Sequence, residues 1–254
     1  MSDGFAEIAG RRLEMRRIAG AGARTIVFLH EGLGAITPWR DFPDRLCAAT
    51  GCPGLVYARA GYGRSAPPPA PRAADYLHRA ALDELPALLA ATGIRAPVLF
   101  GHSDGASIAL IHAGAGHDTA ALIVEAPHVF VEELTLAGIR AAGTPTTRAA
   151  LLGRLRPHHD DAGRVFADWH DTWLSAEFRD WNIEASLLGI TAPTLLIQGA
   201  DDQYGTRAQL EAIARGVRGP CETLWLERCG HSPHRDRPDE VIAATARLLH
   251  SLDA

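Results

Sequence analysis

The sequence predicts an α/β protein with a mostly parallel central sheet flanked by helices. Short apolar runs, such as residues 25–29, alternate along the chain with segments in which apolar residues recur at helical spacing, such as residues 75–91. Strands that alternate with helices form parallel sheets that are covered on both faces. The chain has 254 residues, of which 47% are hydrophobic, so a sizeable core can form.

Each expected element has a local signal. Residues 5–18 are expected to form a strand pair, because Ala9-Gly10 is a turn signal between two short runs. The later strands are short apolar runs bounded by loop residues; they are residues 25–29, 55–57, 97–100, 121–125, 193–198 and 223–226. The helices are expected between and after these strands; they are residues 38–49, 75–91, 106–113, 207–215 and 239–252.

One segment interrupts this alternation. Residues 129–188 have helical patterns, many charges and several aromatic residues, and they are too many for a simple connection between strands. We therefore expect a core formed by residues 1–128 and 189–254, with residues 129–188 as a helical insertion over one end of the sheet.

Composition and charge limit the classes of partner. The formal net charge is −5, which gives no electrostatic reason to expect nucleic acid or an anionic membrane surface. No apolar run reaches the roughly 18 residues of a membrane span. The N-terminal residues do not resemble a signal peptide, so a cytoplasmic location is the default expectation.

A serine motif follows the strand expected at residues 97–100. Gly101-His102-Ser103-Asp104-Gly105 has the G-x-S-x-G pattern, with a strand before it and a helix of small residues after it. In that context the turn holds the serine in a strained backbone, and the glycines relieve the crowding. The hydroxyl would then stand at the carboxyl edge of the sheet, where ligands of α/β proteins usually bind. Ser103 is therefore the expected nucleophile.

The sequence resembles the α/β-hydrolase superfamily from residue 25 to the last helix. The resemblance rests on this serine motif and on the chain order of Ser103, Asp202 and His231. It implies a catalytic triad in which His231 accepts the serine proton and the carboxylate orients the imidazole. It also implies that residues 129–188 are a cap. Within the superfamily, the chain is similar to bacterial enol-lactonases and carboxylesterases.

The acid and the base each have alternatives. Asp202 is favoured because the superfamily commonly places the acid three residues after the glycine that ends a strand, but Asp201 is its neighbour. Glu125 is a more distant choice, since some members place the acid there. His231 matches the Gly-His pair that follows the last strand, and His234 is the rival base.

The resemblance also implies an oxyanion hole with two backbone donors. One is the N–H of Asp104, directly after the nucleophile. The other comes from the loop His30-Glu31-Gly32-Leu33, where Glu31 replaces the usual glycine. This departure leaves the donor open between Gly32, which we favour, and Leu33. Glu31 itself either contacts the substrate or is a solvated loop residue.

Further pocket residues are expected from position. His128 follows the strand at 121–125, and Trp169 and Trp173 belong to the aromatic residues of the insertion. These three are expected to bind substrate. The first part of the insertion, residues 134–156, also carries four arginines and no acid; they are Arg140, Arg148, Arg154 and Arg156. These arginines either attract a small anionic ester or lie on a solvated helix face.

The expected function is hydrolysis of a small carboxylic ester, lactone or thioester through an acyl-serine intermediate. The alternatives are a carbon–carbon bond hydrolase or lyase that uses the same triad, and a ligand-binding member of the fold without turnover. Epoxide and halide chemistry are disfavoured, because those relatives usually carry aspartate at the position of Ser103. No metal site and no cofactor are expected, the four cysteines lack zinc-site spacing, and a homodimer stays open.

Overall fold

The computed structural model describes residues 3–68 and 72–252, and these contain a sheet of eight strands. The strands are β1 (Asp3–Ile8), β2 (Arg11–Ile18), β3 (Ile26–Leu29), β4 (Gly54–Tyr57), β5 (Val98–His102), β6 (Ala121–Glu125), β7 (Thr194–Gly199) and β8 (Cys221–Leu226). Their order across the sheet is β1-β2-β4-β3-β5-β6-β7-β8. The first two strands pair antiparallel, as do β2 and β4, and all other pairs are parallel. The predicted mostly parallel sheet is confirmed.

The first two strands form the hairpin that the sequence predicts. Ala9 and Gly10 lie between Ile8 and Arg11, which are paired, and both turn residues have positive φ values of 49° and 75°. Two consecutive positive φ values are typical of the type I′ turn, whose twist matches that of the flanking strands. The hairpin therefore extends one edge of the sheet, through β2 and β4.

The helices follow the predicted order, with boundaries shifted by a few residues. They are α1 (Phe42–Thr50), α2 (Tyr76–Arg79), α3 (Leu85–Thr92), α4 (Asp104–Gly114), α5 (Glu133–Ala142), α6 (Pro145–Leu155), α7 (Ala162–Trp173), α8 (Glu184–Leu187), α9 (Arg207–Gly216), α10 (Pro233–Asp236) and α11 (Pro238–Ser251). A π-helical segment at Ala80–Glu84 joins α2 to α3, and a 3₁₀ turn at Thr37–Trp39 precedes α1. Among the described residues, no helix is both long enough and apolar enough to span a membrane.

The central strands are buried on both faces. Side chains of one set, which includes Val27 and Leu99, pack against α3 and α4, while the alternate set, which includes Phe28 and Phe100, packs against α1 and α11. Strands β3 to β6 are buried throughout, which explains why the sequence shows continuous apolar runs there rather than alternation. Because helices cover both faces of the sheet, a ligand can reach the parallel strands at their carboxyl edge, where the candidate site lies.

The segment between β6 and β7 carries the helices α5, α6 and α7, which contact one another. Its two ends lie side by side, since Phe130 pairs with Asn182 and the Ile183 N–H donates to the Val129 carbonyl at 2.8 Å. The short helix α8 packs instead against α4 and α9. We keep residues 129–188 as the proposed cap.

Candidate active site

The turn from β5 to α4 holds Ser103 in an unusual backbone conformation. Its φ is 53° and its ψ is −114°, a combination that non-glycine residues rarely adopt. The turn is tight because two glycines allow close approach of backbone. A Cβ at Gly105 would lie 1.9 Å from the Leu29 carbonyl oxygen, and one at Gly101 would lie 2.4 Å from the Gly105 carbonyl oxygen. These glycines let α4 start directly against the neighbouring strands.

Three side chains converge at the carboxyl edge of the sheet. The Ser103 Oγ lies 3.0 Å from Nε2 of His231, and Nδ1 of His231 lies 2.8 Å from Oδ1 of Asp202. Serine follows β5, aspartate follows β7 and histidine follows β8, so parallel strands bring them together. Asp201 is exposed, whereas Asp202 is buried and bonded to the imidazole.

The hydrogen bonds and charges around Asp202 favour its ionised form. Its Oδ1 also accepts the Tyr204 N–H at 2.8 Å, and the Gln198 amide lies 3.3 Å from its Oδ2. Burial by itself would raise the pKa of Asp202, but the charge and hydrogen bond of His231 hold that pKa below its ordinary value. A carboxylate at this position fixes the tautomer in which Nδ1 of His231 carries the proton and Nε2 accepts.

The protonation of His231 depends on the same pair. Burial would lower the pKa of His231, but the Asp202 carboxylate, by charge and by hydrogen bond, raises that pKa above its ordinary value. Glu31 and Glu125 add to this increase. The imidazole is therefore a stronger base than a free histidine, which suits removal of a serine proton.

A second buried histidine–carboxylate pair lies behind the first. Nδ1 of His234 is 3.0 Å from both Glu125 oxygens, and the His234 N–H donates to the same carboxylate at 2.6 Å. His102 donates through Nε2 to the carbonyl of His231 at 2.7 Å, because a carbonyl oxygen can only accept. Burial lowers the pKa of His102 and keeps the ring neutral. Glu125 and His234, the alternatives from sequence, are thus partners of each other.

This group is also where a metal ion could be held. Among the described residues, one trio has potential ligand atoms within 4.8 Å of one another, namely those of His102, Glu125 and His234. Two of its ring nitrogens and its carboxylate already hydrogen-bond within the protein. These bonds tie the loop of His231 to the ends of β5 and β6, so the trio has a structural role without any ion.

A cavity of about 160 Å³ opens over the serine. Most of the residues expected from sequence around the site line it; they are Glu31, Leu33, Asp104, His128, Trp169 and Trp173. Gly32 is not among the lining residues and packs beneath Trp169, where a Cβ would be 2.6 Å from Cδ1 of the indole. Burial, and secondarily His231, lowers the pKa of His128 to about 3, so this ring is neutral.

The candidate oxyanion donors differ in their availability. Asp104 is the first residue of α4, so its N–H has no acceptor within the helix. The N–H lies at the helix N-terminus, where the helix dipole favours negative charge. The Leu33 N–H, in contrast, donates to Oε2 of Glu31 at 2.6 Å. Leu33 can serve as a donor for a substrate oxygen only when the Glu31 carboxylate moves away from it.

The loop after β3 is held by a buried arginine. Arg59 donates from its guanidinium to the carbonyls of His30 and Glu31. The same guanidinium lies 3.8 Å from Asp104, whose carboxylate also accepts the Tyr76 hydroxyl at 2.8 Å. This network explains the arginine in the loop after β4, and it links that loop to the turn that carries the serine.

Sequence reasoning missed several residues of the cavity wall. They are His102, Thr135, Ile139, Gln203, Tyr204 and Ser232. Tyr204 follows Asp202 by two residues and His102 is inside the serine motif, so proximity in sequence could have indicated both. Thr135 and Ile139 belong to α5 of the insertion, and no local pattern marks them. The four arginines between residues 140 and 156 do not line the cavity.

A second cavity, of about 210 Å³, lies on the other side of Arg59. It is lined in part by Arg72, Tyr76 and Arg164, and it contains neither Ser103 nor His231. Although it is larger, it contains none of Ser103, His231 and Asp202, so the smaller cavity is the candidate active site.

Comparisons with known proteins agree with this architecture. The model of the "Alpha/beta hydrolase family" matches residues 26–244. Epoxide hydrolase A of Mycobacterium tuberculosis (strain ATCC 25618 / H37Rv) is 26% identical over an alignment of 311 positions, which covers 96% of each chain.

Solved structures share the fold at lower identity. The enol-lactonase from Burkholderia xenovorans LB400 is 18% identical with a TM-score of 0.74, covering 97% of this chain and 99% of that one. An esterase from Exiguobacterium antarcticum is 20% identical with a TM-score of 0.75, covering 98% and 100%. The family match spans most of the residues, and the chain therefore belongs to the alpha/beta hydrolase family and is a hydrolase of that superfamily.

Proposed function

We propose that the chain is a serine hydrolase that cleaves a small carboxylic ester, lactone or thioester through an acyl-serine intermediate. The observation that carries this proposal is the hydrogen-bonded chain from Ser103 through His231 to Asp202, with contacts of 3.0 and 2.8 Å. These distances lie within the reach required between a nucleophile and its base. The cavity of about 160 Å³ favours a small substrate.

The proposed reaction has two halves. In the first, His231 takes the Ser103 proton as Oγ attacks the carbonyl carbon, and the oxyanion is held by the Asp104 N–H and a loop amide at Gly32 or Leu33. His231 then gives the proton to the leaving oxygen or sulfur, and the acyl-serine remains. In the second half, a water molecule loses a proton to His231 and attacks the acyl group, and the acid leaves as Oγ recovers its proton.

Epoxide hydrolysis is the rival activity that the Mycobacterium relative's name suggests. Two features favour acyl transfer here. The residue at the turn is a serine, while the superfamily resemblance associates epoxide chemistry with aspartate at that position. The base also contacts the serine hydroxyl itself, as activation of a hydroxyl nucleophile requires.

The test is covalent labelling with a fluorophosphonate probe, followed by intact-mass measurement and peptide mapping. We expect one adduct, on Ser103, and Ser103→Ala should lose both the adduct and nearly all hydrolysis of 4-nitrophenyl butyrate. Ser251→Ala is the matched control, because Ser251 is exposed at the end of α11 and does not line the cavity. Full esterase activity in Ser103→Ala, or labelling at another residue, would refute the acyl-serine mechanism.

A further inference from the structure

Glu31 is the main departure from the superfamily pattern, and it lies in the active-site cavity. The superfamily pattern has glycine after the histidine of this loop, whereas here a glutamate follows His30. Its side chain is half-buried and lines the same cavity as Ser103 and His231. The structure thus favours a role in the site over a solvated loop position.

The carboxylate of Glu31 is only partly satisfied by the protein. Oε2 accepts the Leu33 N–H at 2.6 Å, while no donor from the described residues reaches Oε1. No arginine or histidine of the described chain is within ion-pair distance of this carboxylate. Burial, opposed chiefly by the Leu33 hydrogen bond and then by the charge of His231, raises the pKa of Glu31.

The cavity around Glu31 has more negatively than positively charged side chains. The charge of Arg59 acts on Glu31, but its guanidinium already donates to the loop carbonyls and faces Asp104. The charge of Arg154 acts on Tyr204, but Arg154 does not line the cavity. Asp104 adds a second negative charge, and His231 is paired with Asp202. No arginine lines the cavity among the described residues, and the sequence contains no lysine.

Aromatic rings form much of the remaining wall. Trp169, Trp173 and Tyr204 line the cavity with Glu31, and the ring centroids of Trp169 and Tyr204 are 6.3 Å apart at an interplanar angle of 81°. Faces of tryptophan and tyrosine attract cations, and a neighbouring carboxylate strengthens the attraction. This combination is the chemistry that recognises an ammonium group.

We propose that Glu31, with the aromatic wall, binds a cationic ammonium group of the substrate close to the scissile carbonyl. The proposal rests on the ester or thioester hydrolysis proposed above. When the carboxylate turns toward the ammonium group, it releases the Leu33 N–H, which becomes available to the oxyanion. The ammonium group of the substrate is therefore recognised by Glu31, and its binding also frees the second donor of the oxyanion hole. An anionic substrate would be repelled by the same carboxylate.

The first experiment compares isosteric substrates that differ only in charge. Acetylthiocholine is paired with S-(3,3-dimethylbutyl) thioacetate, and S-ethyl (trimethylammonio)ethanethioate with S-ethyl 3,3-dimethylbutanethioate, so that the charge lies on either side of the carbonyl. Each kcat/KM is divided by the rate constant for hydroxide hydrolysis of the same thioester, because an ammonium group next to the carbonyl activates it without any enzyme. For at least one pair we expect this normalised kcat/KM of the wild type to favour the cation about tenfold, which is within the range of a desolvated cation–π contact. Equal normalised kcat/KM values within both pairs, or a preference for the neutral thioesters, would overturn the proposal.

Three variants assign the preference to Glu31. Glu31→Gln should reduce the preference to about twofold or less while neutral thioesters are still cleaved, since only the charge is removed. Glu31→Gly, which frees the Leu33 N–H, should in addition raise kcat for neutral thioesters. Glu177→Gln, an exposed acid of the insertion, should behave as wild type. A preference that survives in Glu31→Gln would contradict the assignment.

A binding measurement separates this proposal from the proposed function. Choline chloride is titrated against Ser103→Ala while tryptophan fluorescence is followed, because Trp169 and Trp173 line the cavity. Saturable quenching that weakens about tenfold or more in Ser103→Ala/Glu31→Gln supports the cation site even if no ester is turned over. Ser103-dependent cleavage of neutral thioesters without choline binding or cation preference would leave the serine hydrolase standing and overturn only the cation site.

Discussion

The second glycine of the serine motif offers the sharpest test of how the fold builds the site. In Gly105→Ala, the new Cβ would lie 1.9 Å from the Leu29 carbonyl oxygen, 2.5 Å from the Leu29 carbonyl carbon and 2.9 Å from the His30 carbonyl oxygen. All three atoms are backbone, so no side chain can rotate out of the way. Helix α4 must therefore move away from the end of β3 by roughly 1.5 Å to reach ordinary contact distances of about 3.5 Å.

The magnitude follows from two opposing contributions. Overpacking a core usually costs about 1–3 kcal/mol and sometimes more, and a rigid backbone obstacle places this case at the upper end. Alanine also stabilises a helix by about 1 kcal/mol relative to glycine, which offsets part of the cost. We expect a net loss of roughly 2–3 kcal/mol in the free energy of unfolding and, for a chain of this size, a fall in Tm of roughly 4–12 °C.

Thermal melting by circular dichroism measures the effect, with Gly153→Ala as the matched control. Gly153 is an exposed residue of α6, and a Cβ there meets nothing within 4 Å. The same substitution at that position should raise the free energy of unfolding by up to about 1 kcal/mol. A Gly105→Ala protein that melts within about 1 °C of wild type would refute the close-approach argument.

The remaining predictions concern the proposed triad and its surroundings. Asp202→Asn should lower kcat for a neutral ester by about 10⁴-fold, because the amide no longer fixes the tautomer of His231; Asp201→Asn, whose side chain is exposed, should keep wild-type activity, and the reverse result would mean that the wrong acid was chosen. The pH profile of kcat/KM should lose activity as pH falls through the raised pKa of His231, which must be neutral to accept a proton. Glu125→Gln should move this acidic limb to lower pH, because the Glu125 charge contributes to the raised pKa of His231, although Asp202 contributes more. Rate profiles that superimpose for Glu125→Gln and wild type would exclude this contribution.

Much of the fold could be predicted because each element has a local pattern in the sequence. Apolar runs predicted the strands, helical periodicity predicted the helices, and the turn residues Ala9-Gly10 predicted the hairpin. The exact ends of the helices and strands could not be predicted in this way. Neither could the π-helical segment at Ala80–Glu84, because its hydrogen bonding has no local signature in the sequence. The length of residues 129–188 predicted a segment outside the strand–helix alternation, and its role as a cap stays a prediction. The contacts among α5, α6 and α7 depend on packing between residues far apart in sequence.

The sequence by itself determined the order of elements, the serine motif and the spacing that made Ser103, Asp202 and His231 candidates, since each of these is a property of neighbouring residues. Only the tertiary structure decided that Asp202 rather than Asp201 contacts the imidazole, that Glu125 pairs with His234, and that the Glu31 carboxylate holds the Leu33 N–H. The physical reason is distance, because a hydrogen bond forms only within about 3 Å. The sheet brings Asp202 and Glu125 to histidines that lie 29 and 109 positions away in the chain, and the conformation of the loop after β3 sets the contact between Glu31 and Leu33.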